Sequence, residues 1–110
     1  MALHHAASGE LIDIRPLGDS LPETPSTALF KNPTLEVMRL VLPAGREVPE
    51  HRVAGEITLQ CLEGRIELRA HSKTQTLEPG TMVFLEAHVD YALHAVENTS
   101  VLMTILVGHA

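Results

Sequence analysis

The sequence has one cysteine, few basic residues and no long apolar run, and each shortage excludes a class of protein. Because Cys61 is the single cysteine, no disulfide can form within the chain, and its apolar surroundings predict a small buried side chain in a reducing cytoplasm. Eight basic against 14 acidic residues give a net charge of −6, which argues against a nucleic-acid partner. The apolar run 101–107, interrupted by Thr104, is far shorter than the roughly 20 residues that span a membrane. We therefore expect a soluble protein without a membrane partner.

Helical periodicity is also missing, because no window keeps an apolar i, i+3, i+4, i+7 stripe without an equally good alternating pattern. At 110 residues the chain predicts one domain, which we place at 11–110 after a poorly ordered segment 1–10. Short alternating segments separated by glycine and proline turns predict an all-β sandwich or barrel. The predicted strands cover 11–15, 27–31, 35–42, 57–62, 65–70, 81–85 and 100–107.

The chain is organised around the segment from Gly45 to Gly64, which begins and ends on a predicted turn. His51 and Val53 lie two residues apart, so they point to the same side of an extended chain. After a break at Gly55, the next strand places Ile57, Leu59 and Cys61 on one wholly apolar face.

This spacing resembles the first motif of the cupin superfamily, G-x5-H-x-H-x3-E-x6-G, since Gly45, His51 and Gly64 fall at the family's intervals. The resemblance implies a small, single-domain cupin with a jelly-roll β-barrel fold. Val53 and Ile57 occupy the positions of the family's second histidine and its glutamate, and neither side chain can bind a metal. We therefore expect no cofactor and no tightly held metal ion.

The second cupin motif, G-x5-P-x-G-x2-H-x3-N, fits the segment 80–98 in two registers. Anchored on Gly80, it places Tyr91 at the position of the family's histidine, which turns Tyr91 and Leu93 inward and His94 outward. Anchored on His94 and Asn98, whose spacing reproduces H-x3-N, it turns His94 inward and requires a bulge. We favour the first register because strand pairing is set by spacing and turn geometry.

In the favoured register the barrel interior is an apolar pocket with two polar groups, which predicts the binding of a small organic molecule. The predicted ligand-binding residues are His51, Val53, Ile57, Leu59, Tyr91 and Leu93.

Two enzymes are the alternatives, and a structural module with a vestigial pocket is a third. A metal-dependent enzyme would bring His51 and His94 together, with His88 or Gln60. A metal-free isomerase or epimerase would use His51 as base and Tyr91 as acid, similar to the sugar-nucleotide epimerase branch of the cupins.

Two strands carry apolar residues on the side turned away from the pocket, at 35–42 and 58–62. One small barrel cannot bury both faces of these strands, so the pattern predicts a homodimer.

Overall fold

A computed structural model describes residues 5–108 of the chain, which form nine β-strands and one short 3-10 helix. The 3-10 helix, Gly18–Glu23, comes first. The strands are β1 (Thr27–Lys31), β2 (Leu35–Leu42), β3 (Glu47–Arg52), β4 (Ile57–Glu63), β5 (Ile66–Ala70), β6 (Lys73–Leu77), β7 (Met82–Leu85), β8 (Asp90–Ala95) and β9 (Thr99–Leu106).

The strands form two antiparallel sheets that pack face to face. The five-stranded sheet has the order β1-β2-β9-β4-β7, and the four-stranded sheet has the order β3-β8-β5-β6. This confirms the predicted all-β jelly roll. The sheets form a sandwich and do not close into one hydrogen-bonded barrel, so the structure refines that part of the expectation.

The core lies between the two sheets and is built from alternate residues of the central strands. Leu59 and Cys61 on β4 face Ile66 and Leu68 on β5, and all four side chains are buried. The intervening residues of these strands are more exposed, as the period of two along a half-buried strand requires. The predicted apolar face of β4 is therefore confirmed, and β5 has an apolar face of the same kind.

Two predictions about strands were wrong. Residues 11–15 are not a strand, because the Asp13 carboxylate accepts hydrogen bonds from the Arg15 backbone and side chain and bends the chain there. Lys73–Leu77, which lies between the predicted strands 65–70 and 81–85 and was not predicted as a strand, forms the edge strand β6. Its alternation is hidden because, of its five residues, only Leu77 is buried.

The segment 14–23 crosses the outer face of the five-stranded sheet and is held there by three polar side chains. The Glu63 carboxylate accepts hydrogen bonds from the backbone of Leu17 at 2.9 Å and from the Ser100 hydroxyl. Arg39 donates from Nη2 to the Arg15 carbonyl at 2.6 Å and lies 3.5 Å from Glu63. We call Arg39, Glu63 and Ser100 the latch.

The latch bears on the expected oligomer, because it shows how one end of the outer face is covered within the chain. Leu21 of the 3-10 helix is buried, the helix packs against β2, and Val41 on that strand is 5% exposed. At the other end of the same face, Met82 and Phe84 on β7 remain more than half exposed. The homodimer expected from 35–42 and 58–62 stays a prediction, and the most exposed apolar side chains of this face lie on β7.

Residues 1–4 and 109–110 lie outside the described part of the chain, so the expected disorder of 1–10 stays a prediction. Within that segment, the Ala6 backbone donates a hydrogen bond to the Leu29 carbonyl at 2.9 Å. Across residues 5–108, no helix is long and apolar enough to cross a membrane.

Candidate functional site

A bulge in β3 places His51 opposite Tyr91. Val48 pairs with Leu93 and His51 with Tyr91, so β3 has one residue more than β8 over the same interval. Directly opposed residues in an antiparallel pair lie on the same face of the sheet. His51 and Tyr91 therefore both turn toward the interior side, with His51 at the solvent-exposed edge.

The two rings are in contact, with centroids 4.5 Å apart and planes inclined by 49°. Tyr91 is 2% exposed, and the burial of its phenol raises its pKa to about 12. Its hydroxyl has no hydrogen-bond partner within residues 5–108. Tyr91 therefore presents a protonated, unpaired phenol at neutral pH.

The second His51 contact determines which ring nitrogen carries the proton. Nδ1 lies 3.0 Å from the Pro49 carbonyl oxygen, which can only accept a hydrogen bond. Nδ1 must therefore be the donor, and in the neutral ring Nε2 keeps the free lone pair. Nε2 is the nitrogen that could accept a proton or a hydrogen bond from a ligand.

Four of the six predicted ligand-binding residues belong to the packed core. Ile57, Leu59 and Leu93 are each at most 3% exposed, and they join Tyr91 in one cluster between the sheets. The interior of the sandwich around them is filled with side chains, as in ordinary protein cores. The predicted pocket is thus not an open chamber at these positions, and whether a ligand contacts them remains a prediction.

Val53, the sixth predicted residue, lines an open cleft at one end of the sandwich. The cleft has a volume of about 500 Å³ and is formed by the β3–β4 loop, the β7–β8 loop and the end of β9. Its lining is mostly apolar and consists of Val53, Ala54, Gly55, Glu56, Glu86, Ala87, Ile105, Leu106, Val107 and Gly108.

Backbone contacts hold the cleft loops in place. The His88 N–H donates to the Val53 carbonyl at 2.9 Å, and the Leu106 N–H donates to the Glu56 carbonyl at 3.0 Å. Gly55 passes so close to Leu106 that a Cβ would collide with the Leu106 carbonyl oxygen. His88 has a φ of 65°, an uncommon conformation for a residue with a side chain. The cleft is therefore built by specific close contacts.

His94 lies on the opposite side of its sheet from Tyr91. Tyr91, Leu93 and Ala95 belong to the core cluster, whereas His94 is half-buried beside Glu47, with Nδ1 and Oε1 3.4 Å apart but not in hydrogen-bond geometry. The structure thus adopts the register anchored on Gly80. The register anchored on His94 is wrong, because Tyr91, Leu93 and Ala95 face the core and His94 does not.

The positions of the histidines also bear on the metal-dependent alternative. His51 and His94 face opposite sides of the four-stranded sheet, so a single ion cannot contact both without a rearrangement of β8. Among the described residues, no three His, Cys, Asp or Glu side chains converge as metal ligands. This arrangement does not support the alternative in which His51 and His94 share a metal.

Most of the cleft was not predicted from the sequence. Glu56, Glu86 and Ala87 lie in loops that follow different strands, and no motif connects them. The one available signal was the Ala54-Gly55 break, which marks a turn but not a cavity.

Comparisons with known proteins agree with the fold. No sequence match is found among curated proteins. A conserved protein of unknown function from Streptococcus pyogenes is 20% identical and superimposes with a TM-score of 0.75 over 100% of both chains. A cupin superfamily protein from Desulfitobacterium hafniense is 19% identical, with a TM-score of 0.74 over 88% of this chain and 94% of the other. KdgF from Halomonas sp. is 15% identical, with a TM-score of 0.72 over 76% and 80%.

At these identities the solved structures show a common fold alone. The family model described as "Cupin domain" matches residues 38–108, which is more than half of the chain and includes both motif segments. The chain belongs to the cupin family.

Proposed function

We propose that this cupin binds a small, largely apolar organic molecule in the cleft beside Val53. The observation that carries the proposal is the cleft itself, a mostly apolar cavity of about 500 Å³ at the end of the sandwich, beside the cluster of buried core side chains. A cavity of this size and lining is typical of small-molecule sites. The proposal keeps the ligand class expected from the sequence and moves the site from the interior to its end.

His51 and Tyr91 are not among the residues that line the cleft, and they enter this proposal as neighbours of Val53 that would supply its polar contacts. Val53 lies two residues after His51, so both side chains point to the same side of the extended chain. The free Nε2 of His51 would accept a hydrogen bond from the ligand, and the unpaired Tyr91 hydroxyl would donate one. Together these groups would orient a carbonyl or hydroxyl of the bound molecule.

A metal-free acid–base enzyme is the second candidate, because the two rings are in contact. His51 would remove a proton through Nε2, and Tyr91, whose raised pKa of about 12 keeps it protonated, would donate one. Turnover of an isomerisable sugar derivative that is lost in both His51→Ala and Tyr91→Phe would favour this candidate over simple binding.

A matched pair of alanine variants tests the site. Ala54 lines the cleft, whereas Ala44 is an exposed loop alanine away from it. Small molecules that bind the cleft should shift the NMR signals of Val53 and Val107. We expect Ala54→Leu to weaken the binding of each such molecule and Ala44→Leu to leave its affinity unchanged. Equal effects of the two variants, or a screen in which no compound shifts these signals, would refute the proposed site.

Substitutions of the two rings test their role separately. His51→Ala and Tyr91→Phe should each weaken binding by about 1–3 kcal/mol, because each leaves a ligand group unpaired. His94→Ala should have little effect, since His94 lies on the outer side of the sheet. Loss of binding in His94→Ala with no effect of Tyr91→Phe would contradict this assignment.

We further propose that two copies associate through the exposed part of the five-stranded sheet. Met82 and Phe84 are 59% and 55% exposed and lie on the same face of the edge strand β7. Phe84→Glu should convert a dimer to a monomer in light scattering at micromolar concentration, whereas Val96→Glu, a similarly exposed control, should not. A monomeric wild-type protein would overturn the proposal.

The buried Cys61 thiol supports the expected cytoplasmic location, which we retain as part of the proposal. Burial raises the pKa of this thiol, and the side chain is 1% exposed.

A further inference from the structure

The cleft carries negative charge at its rim and has no positive charge among its described lining residues. Glu56 enters from the β3–β4 loop and Glu86 from the β7–β8 loop. Within residues 5–108 neither carboxylate forms an ion pair or a side-chain hydrogen bond. Both side chains are exposed to solvent.

Two carboxylates elsewhere in the described chain are neutralised by an arginine beside them. Asp90 forms two hydrogen bonds with Arg52, and Glu63 is held by Arg39 in the latch. Glu67, on the outer face of the four-stranded sheet, has no such partner. The cavity that Glu67 lines, however, does not have the mainly apolar lining of the cleft. At the cleft, by contrast, two carboxylates without a charge partner among residues 5–108 border a mainly apolar space.

We infer that the cleft binds a small organic cation, a protonated amine carried on a compact hydrocarbon body. The inference rests on the proposed function, which places the ligand in this cleft, and it adds the charge of that ligand. The hydrocarbon would contact Val53, Ala87 and Ile105, and the ammonium group would lie between Glu56 and Glu86. An anionic ligand would meet two like charges there, and the net charge of −6 adds to that repulsion.

Three probes that differ only in charge separate the inference from the proposed function. Cyclohexylmethylamine, cyclohexylmethanol and cyclohexanecarboxylate are titrated into the full-length protein, and the backbone NMR signals of the cleft residues report binding. We expect the amine to bind about five- to tenfold more tightly than the alcohol, as two exposed ion pairs allow, and the carboxylate to bind most weakly. The preference for the amine should shrink as salt is added.

Each outcome has a distinct meaning. If the alcohol binds at the cleft as tightly as the amine, the inference is wrong and the proposed function stands. If no probe shifts the cleft signals, both fail.

Charge variants then test whether the two glutamates are the cause. Glu56→Gln with Glu86→Gln should abolish the preference for the amine and leave the alcohol unchanged, and Glu56→Lys with Glu86→Lys should reverse the preference toward the carboxylate. Glu67→Gln removes one unpaired carboxylate away from the cleft and should change nothing. A preference that survives the double Gln variant would overturn the inference.

Discussion

Replacing Glu63 with glutamine removes the charge of the latch while keeping the shape of the side chain. Oε1 accepts from the backbone N–H groups of Leu17 and Gly18 at 3.0 and 3.1 Å, and Oε2 accepts from Leu17 and Ser100. A glutamine keeps one of these oxygens and puts an NH2 group, which cannot accept, in place of the other. At least one donor is left unpaired, and Arg39 loses its counter-charge at a site where its side chain is 8% exposed.

The magnitude follows from the number and kind of bonds lost. Hydrogen bonds to a charged group contribute about 1.5–3 kcal/mol each, and breaking a buried ion pair costs more because the remaining charge stays buried. The Glu63 side chain is 14% exposed, so water compensates only in part. We expect Glu63→Gln to lower the free energy of unfolding at pH 7 by about 2–4 kcal/mol in urea denaturation.

The direction of the Glu63 pKa shift determines how the stabilisation by the latch changes with pH. Burial raises the pKa of the Glu63 carboxyl, but the hydrogen bonds from Leu17, Ser100 and Gly18 and the charge of Arg39 outweigh burial and lower the pKa below its ordinary value of 4.5. The stabilisation is therefore fully present above the unfolded pKa and is lost as pH falls through the folded pKa. The difference in the free energy of unfolding between wild type and Glu63→Gln should be largest at pH 7 and should narrow as pH falls below the ordinary carboxyl pKa of 4.5.

Amide hydrogen exchange distinguishes local release of the segment 14–23 from a general loss of stability. In wild type the N–H groups of Leu17 and Gly18 should be protected, and in Glu63→Gln they should exchange rapidly while the core of β4 stays protected. The double variant Glu63→Gln with Arg39→Met should be less destabilised than the two single variants summed, since no unpaired charge remains. Protection of Leu17 in Glu63→Gln, with stability within about 0.5 kcal/mol of wild type, would refute this account of the latch.

Two further predictions concern Tyr91 and Gly55. Because Tyr91 is the single tyrosine of the chain, absorbance at alkaline pH reports its ionisation directly, and the midpoint should lie near 12 in the folded protein. Because the pKa of Tyr91 is raised on folding, the free energy of unfolding should fall between about pH 10 and pH 12. Tyr91→Phe should remove that fall. A titration midpoint near 10 in the folded protein would contradict the burial of the phenol. Gly55→Ala should destabilise the protein by about 1–3 kcal/mol in urea denaturation, because the new Cβ meets the Leu106 carbonyl oxygen. An unchanged midpoint of urea denaturation in Gly55→Ala would contradict this, because it would show that the loop moves aside at no cost in stability.

The strands with one buried face could be predicted from the sequence, because burial on one side imposes a period of two. Thr27–Lys31 and Leu35–Leu42 match their predicted bounds, and the apolar face of β4 is the inward one. The position of Tyr91 followed from its distance to Gly80, because pairing along β8 has no freedom to slip once the turn is placed. Local periodicity and turn spacing carried this information.

Other features depend on contacts that no local pattern encodes. β6 is polar because it is an edge strand with few buried positions, so it has no alternation to detect. The latch joins Leu17 to Glu63 across 46 residues, and an arginine inside an apolar strand does not reveal its partner. The cleft is similarly assembled from loops that are distant in sequence.

The filled interior and the departures from the cupin motif have a common physical basis. A metal site needs several polar donors and room for the ion, whereas Val53 and Ile57 at the ligand positions offer only apolar surface. Apolar side chains gain free energy by packing, and Ile57 is accordingly 3% exposed, in one cluster with Leu59, Tyr91 and Leu93. The same substitutions that remove the ligands thus favour closing the chamber that would have held them. Val53, nearest the end of the sandwich, is left half-buried on the wall of the cleft, which is where the space for a ligand remains.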